Sequence, residues 1–484
     1  MAAKTTLTAG NLAALGVERL AALLVEISTG DAALKRRLRL ELASRASPHE
    51  VATAIRKRLA AIDRARTFVD WQNRRALIDD LEVQQRAIVD KLGKADPGEA
   101  LDLMWRFLAL AEGIFGRCDD SSGAIFDVFL GAVANLGTLA GLAPAEPIDL
   151  AERTFQALLR NGHCQCDRLL ATLVPALGPQ GLAHLKARML EVQREPVCVI
   201  PEKDRRKIGW SPCGPIYADT LEDSARRGAA RRALAEIADA AGDADGFIAQ
   251  YDAPTRKVPA IAAEIATRLL AAGRLDEAQH ALEAAVGRRD RSPDLDWERD
   301  FAWEDALIAV LDAQGKAADA QATRWQCFAG ALSAPHLREY LKRLPDFDDV
   351  EAEQRALDHV AKSESFVAAL VFFVAWPALD RAAGLVLARA GERDGNRYEI
   401  LSPAAEALAG RHPLAATLLL RAMVDFTLGH TRTSRYRHAA RHLANCAGLA
   451  VSIRDFGAFV PHEAYVAELQ RSHGKKTAFW SLVG

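Results

Sequence analysis

Apolar residues in this chain recur at three- and four-residue spacing, the period of a helix buried along one face. Leu101, Met104, Trp105, Leu108 and Phe115 form one broad stripe. Leu7, Leu12, Leu15, Leu20, Leu23, Leu24 and Ile27 form another near the N-terminus, expected to be broken at Gly16. No stretch sustains strict alternation of apolar and polar positions, which argues against a large sheet. The pattern predicts an all-α protein.

Helix starts are marked by capping chemistry. Ser47-Pro48-His49-Glu50 places a hydroxyl acceptor before the helix, proline at its first position and a glutamate that reaches back to the cap. Asp96-Pro97-Gly98-Glu99 repeats the device. Ser292-Pro293, Ser402-Pro403 and Pro335 mark further expected starts.

The stretch Ile261 to Ala285 reads as a helix, a tight turn at Ala272-Gly273-Arg274, and a second helix opening at Leu275-Asp276-Glu277-Ala278. That is the build of a tetratricopeptide-type helical hairpin. A related pattern runs from Trp303 to Cys327 and turns at Gln314-Gly315-Lys316. Hairpins that cannot bury their apolar faces alone stack on neighbours, which predicts an irregular α-solenoid in the C-terminal half.

One region breaks the helical pattern. Pro196 to Pro215 holds four prolines and two glycines, which forbid a continuous helix. The expected organisation is an N-terminal helical domain at 1–194, a Pro/Gly-rich connecting loop at 195–218, and a helical-repeat domain at 219–484.

Composition narrows the picture further. Half of the 484 residues are apolar and 26% are charged, ordinary for a folded soluble protein. Sixty-two basic and 64 acidic side chains nearly cancel, so no global field draws the molecule to nucleic acid or a membrane. The longest apolar run noted, Phe366 to Trp376, falls short of the roughly 20 residues needed to span a bilayer. No secretory signal is evident in Met1 to Gly10. The scattered, odd set of seven cysteines fits a reducing compartment, and a cytoplasmic location is expected.

Several segments carry a family resemblance. They include Gly242-Asp243-Ala244-Asp245, Leu270-Ala271-Ala272-Gly273-Arg274, Trp376-Pro377 and His412-Pro413-Leu414-Ala415-Ala416. Ile237-Ala238-Asp239, Ala263-Glu264-Ile265-Ala266, Tyr398, Tyr436-Arg437-His438-Ala439-Ala440-Arg441-His442-Leu443, His473-Gly474-Lys475-Lys476 with Phe479-Trp480, and Cys118-Asp119-Asp120-Ser121-Ser122-Gly123 belong with them. With these the chain resembles an uncharacterised bacterial family, a domain of unknown function with tetratricopeptide-like helices. The C-terminal part is also similar to the helical arrays that follow SWIM zinc fingers. The finger itself needs Cys-x-Cys followed by Cys-x-His, and no Cys-x-His occurs in the chain.

Candidate chemistry is sparse. Arg421, Arg432, Arg435, Arg437 and Arg441, with Tyr436, His430, His438 and His442, form a basic segment opposed only by Asp425 between residues 421 and 442. Guanidinium forks suit phosphate or carboxylate. His438, His442 and Cys446 share a helix face, since steps of four residues advance only about 40°. They span about 12 Å of axis, too far for one zinc ion with bonds of about 2.0–2.3 Å. Asp119 and Asp120 offer carboxylates for a cation or an acidic contact, set against the ordinary use of such residues as a helix cap. Cys164 and Cys166 would make a four-thiolate metal site only if Cys198 and Cys213 folded back on them. No nucleophile elbow, phosphate-binding glycine loop, dinucleotide fingerprint or His-Glu-x-x-His motif occurs.

The expected function is therefore a non-catalytic scaffold that binds a protein or peptide in a helical-repeat groove, with no cofactor and no membrane. The alternatives are a nucleic-acid or phosphate-ligand binder using the arginine-rich helix, and a metal-binding protein.

Overall fold

Capping residues and left-handed turns cut this chain into short helices. The computed structural model describes residues 6–196, 200–212, 214–285 and 300–483, and among these the protein is all-α apart from one two-stranded sheet. The chain forms two compact units, Met1–Asp252 and Ala253–Gly484.

In the first unit the side-chain oxygens of both expected caps operate, while Glu99 pairs with Arg56 instead of reaching back to its cap. The Ser47 hydroxyl accepts from the Glu50 N–H at 3.2 Å and opens the helix Pro48–Arg64. Asp96 accepts from the Glu99 N–H at 3.0 Å and opens Pro97–Leu108. Gly16, at φ 82°, separates Ala9–Ala13 from Val17–Ser28 as expected. The apolar side chains of that segment stay largely exposed, however, and Val17 is 84% exposed.

The core of this unit forms where Pro97–Leu108 packs on Ala124–Leu142, and Leu169–Arg194 packs on Pro147–Leu159. Met104, Phe107, Phe129, Leu136, Leu173, Leu185 and Met189 are buried there. Leu169–Arg194 bends at Gly178-Pro179, where Gly178 adopts a left-handed φ of 57°. Ala124–Leu142 is long and apolar enough to cross a membrane, longer than the Phe366 run singled out from the sequence. Ile125, Phe129, Ala132, Leu136 and Leu139 nevertheless seat one face of it in this core.

Two sequence expectations shift here. The Pro/Gly-rich segment is not only a loop. Lys207–Ser211 and Gly214–Tyr217 pair as an antiparallel hairpin with a bulge between Lys207 and Gly209. The Lys207 ammonium sits 4.8 Å over the Trp210 ring, which is 72% exposed. The boundary also moves. Ala218–Ala240, assigned from sequence to the repeat half, packs on Leu169–Arg194. Its Ala230, Ala233, Leu234 and Ile237 are part of the first unit's core, so the division falls at Asp252/Ala253.

Glu236, on that same helix, has a buried Oε2 with no hydrogen-bond partner. Burial, with Asp167 and Asp239 adding repulsion against Arg232, holds its carboxyl at about 7. Below pH 4.5 the group is protonated in both folded and unfolded chains. Above that the unfolded chain ionises first, so stability falls as pH rises from 4.5 through 7. Glu236→Gln is expected to be more stable than the parent by about 1–2 kcal/mol at pH 8, after discounting for partial exposure, and equal at pH 4.5. Urea denaturation at the two pH values checks this, and an unchanged pH slope in the variant would contradict it.

The second unit opens with the two hairpins read from the sequence, Pro259–Ala271 with Leu275–Ala284, and Ala302–Ala313 with Ala317–Ala331. The expected start at Ser292-Pro293 lies outside the described residues. Gly273 and Gly315 take left-handed φ values of 75° and 71°. Past each glycine the next N–H reaches back five residues, Arg274 to the Leu269 carbonyl at 2.8 Å and Lys316 to Leu311 at 2.9 Å. This closure satisfies a carbonyl that the helix end would otherwise orphan. The same closure recurs after Gly242, in the first unit, and after Thr431.

Pro259–Ala271 contacts both its own partner helix and Ala302–Ala313 of the next hairpin. The Trp303 indole donates to the Leu282 carbonyl at 3.2 Å across that junction. Further along, Phe366–Ala375 with Leu379–Ala388, and Tyr398–Ala409 with Pro413–Gly429, bury Phe372, Phe373, Leu401, Leu408, Leu419 and Met423. Pro335 does lie in the first turn of Ala334–Leu341. Ser402-Pro403 does not start a helix. Tyr398–Ala409 runs through it, because proline at the sixth position removes only one internal bond.

Candidate functional site

Three successive helices of the second unit, Tyr398–Ala409, Pro413–Gly429 and Tyr436–Ala450, pack side by side. After Pro413–Gly429 the chain turns at Thr431, in a left-handed φ of 52°, and the Arg432 N–H bonds the Thr427 carbonyl at 3.0 Å. A single 3-10 turn, Thr433–Arg435, then leads into Tyr436–Ala450. This places Arg435 against residues some forty positions earlier. Its Nη1 donates to Asn396 Oδ1 at 3.1 Å, and its guanidinium lies 4.5 Å over the Tyr398 ring.

Between these elements lies a pocket of about 210 Å³. Met423, Thr427 and Ala439 line it, together with Tyr398, Ser402 and Ser434. Gly395, Arg435, His438, Arg441 and His442 complete the lining, and no carboxylate belongs to it. Arg441 Nη2 lies 3.3 Å from His438 Nδ1, so Arg441 faces an imidazole and not an acid.

His442 Nδ1 is buried without a partner. Burial first, then the charges of Arg441 and His438, hold this imidazole below its ordinary value. Its charged form is disfavoured, and the permanent charge of the pocket rests on Arg435 and Arg441. A small basic cavity with fixed guanidinium donors suits a phosphate or carboxylate group.

The basic segment read from the sequence thus divides. Arg435, His438, Arg441 and His442 converge on one pocket. Arg432 and Arg437 are exposed, outside the lining and without ion pairs. Tyr436 lies outside the lining: it is 5% exposed, with its ring 5.8 Å from Phe479 in an edge-on contact within the core. Arg421 is not part of the surface either. It is 4% exposed, donates to the Val460 carbonyl at 2.6 Å and lies 4.4 Å over the Tyr465 ring. Asp425, the segment's lone acid, accepts from the Tyr465 hydroxyl at 2.7 Å.

Cys446, on the stripe with His438 and His442, is fully buried, and burial pushes its thiol up to about 12. The described residues contain no group of three His, Cys, Asp or Glu placed to hold a metal. Cys166 is buried and Cys164 exposed, while Cys198 and Cys213 lie outside the described residues.

Asp119 and Asp120 serve their own loop. Asp120 accepts from the Ile125 and Phe126 N–H groups at 3.0 and 2.9 Å and caps Ala124–Leu142. Asp119 Oδ1 accepts from the Ser121 N–H at 3.1 Å, and its carbonyl takes the Arg74 guanidinium at 2.9 Å. Sequence reading missed Gly395 and Asn396 and singled out Tyr398 only within the family resemblance; no local spacing connects these residues to the arginines. The one available signal was the Asp394-Gly395-Asn396 turn before an aromatic helix start.

Fold and pocket together define an all-α protein built from helical hairpins, with an acid-free basic pocket in its C-terminal unit. The chain belongs to a family of unknown function, DUF6880, whose model matches residues 2–482. No curated protein and no solved structure matches it.

Proposed function

We propose that the protein is a non-catalytic binding module that holds an anionic group of a protein or peptide partner in the pocket of Arg435, His438, Arg441 and His442. The observation that carries this reading is that two guanidiniums and two imidazoles line one cavity with no carboxylate among them. Elsewhere the arginines of this unit are commonly spent on internal acids, as in Arg389–Glu392, Arg381–Asp358 and Arg471–Glu468. The hairpins of the second unit suit a tetratricopeptide-like solenoid, and such stacks offer extended surfaces for peptides. A cytoplasmic location is part of this proposal.

Titration with inorganic phosphate and with O-phosphoserine, followed by thermal shift and calorimetry, tests the reading. Binding is expected to weaken about tenfold in Arg441→Ala and in Arg435→Ala, as for the loss of one charge-assisted contact. It is also expected to fall with added salt. No saturable binding at low salt, or binding unchanged in the double variant, would overturn the proposal. An oligonucleotide that binds far better than phosphate through the same arginines would assign the pocket to nucleic acid instead.

A further inference from the structure

A larger cavity, about 450 Å³, lies in the first unit between Pro97–Leu108 and Pro147–Leu159. Its size falls in the usual range of small-molecule sites, roughly 300–1,000 Å³. Trp105, Leu108, Ala109 and Ala157 give it apolar walls, and Cys166 closes one side. Burial pushes the Cys166 thiol up to about 12, so it meets the cavity as a neutral contact.

Hydrogen-bond donors on this lining are left over. The Trp105 indole N–H is buried with no acceptor. By contrast, the indoles of Trp303, Trp376 and Trp480 donate to Leu282, Glu353 and His473 at 3.2, 2.7 and 3.0 Å. Gln165 is 4% exposed; its Oε1 accepts from the His163 N–H at 3.2 Å, while its carboxamide nitrogen makes no hydrogen bond among the described residues. The Arg106 and Arg160 guanidiniums form no ion pair or hydrogen bond among the described residues, although both side chains line the cavity. The other charges are mostly spent. Arg153 pairs with Asp102, and Glu152 takes Arg188 at 3.1 Å and His184 at 3.4 Å. Glu112 is the remaining carboxylate, exposed on the lining, and does not neutralise two guanidiniums.

Leftover donors beside an apolar wall describe the complement of an amphipathic anion. We infer that this cavity binds a small carboxylate with an aromatic or aliphatic body, its carboxylate held by Arg106 and Arg160 and its body laid against Trp105 and Leu108. This site is separate from the pocket of the proposed function and does not depend on it. A bound carboxylate would give the indole N–H and the Gln165 amide the acceptor they lack, and burying an unmatched donor is costly in any site that holds no acceptor.

The probe for the test is 3-phenylpropanoate, titrated calorimetrically into the full chain, with 3-phenylpropanol as its uncharged counterpart. Saturable binding with one site is expected, with the alcohol at least about tenfold weaker. Arg106→Ala and Arg160→Ala are each expected to cost about tenfold. Trp105→Phe keeps the apolar wall and removes the donor, and should weaken the acid several-fold while leaving the alcohol unchanged. Arg441→Ala, in the other unit, should bind the probe like the parent. Both arginines are exposed, so their removal leaves the core intact, and circular dichroism melts verify this. Absence of saturable binding at millimolar probe, equal affinity for acid and alcohol, or unchanged binding in both arginine variants would overturn the inference.

Discussion

Phe129→Ala is expected to destabilise the first unit by about 3–5 kcal/mol, the usual cost of removing a fully buried phenyl ring. Phe129 is 0% exposed on the helix Ala124–Leu142. Its ring lies 5.5 Å from Phe107 and 5.6 Å from Phe115, and Phe115 in turn lies 4.8 Å from the His163 ring. The truncation therefore opens a cavity between two aromatic neighbours, Phe107 and Phe115, that rest on different helices and cannot collapse together. Hydrogen exchange read by mass spectrometry provides the check. Protection should drop across 97–142 while the helices from 366 to 449 keep theirs. Uniform loss over the whole chain, or none, would contradict the division into two units.

Gly395→Ala is expected to cost about 1–3 kcal/mol and to abolish most anion binding at the same time. A Cβ at this position would stand 1.9 Å from the Ala422 carbonyl oxygen and 2.8 Å from Phe426 Cβ. The first obstacle is helix backbone, which cannot rotate aside, so the segment at 395 must move. That segment carries Asn396 and Tyr398, the two partners of the Arg435 guanidinium. Gly384→Ala serves as the control. Nothing lies within 4 Å of its added methyl, and the site is inside the helix Leu379–Ala388. It should be neutral or stabilising by up to about 1 kcal/mol. Paired measurements of Tm and phosphate affinity separate the two variants. A Gly395→Ala protein with unaltered phosphate affinity would break the proposed link between this loop and the pocket.

What was legible in the sequence is what local chemistry decides. Ser47 and Asp96 announce their helices because a cap needs only a side-chain oxygen and an amide three residues on. Gly273 and Gly315 announce their turns because an αL residue is cheapest as glycine. Thr431 makes the same turn without that signal and was not read as one. Pro403 misled for a related reason: proline favours a helix start but is tolerated inside when the surrounding packing outweighs one lost bond. The hairpin at 207–217 was hidden because two short strands with a bulge leave no alternating run long enough to detect.

The site was half legible. Spacing alone set Arg441 beside His438 and His442. Nothing local distinguished Tyr436, which faces Phe479, from Arg435, which faces Tyr398, although the two are adjacent in sequence. That choice belongs to the packing of Tyr398–Ala409 and Pro413–Gly429 against the last part of the chain.

The turn that closes after Gly242, Gly273, Gly315 and Thr431 also bears on how the chain assembles. Its defining bond spans five residues, and the helices it joins meet each other before they meet anything distant. Contacts of short sequence separation form quickly, since little loop entropy is lost before they form. During synthesis at roughly 5–20 residues per second, a hairpin such as Pro259–Ala284 would leave the ribosome within seconds and close on itself. Each later helix then docks on a partner already in place, so the nascent chain exposes one unpaired apolar face at a time.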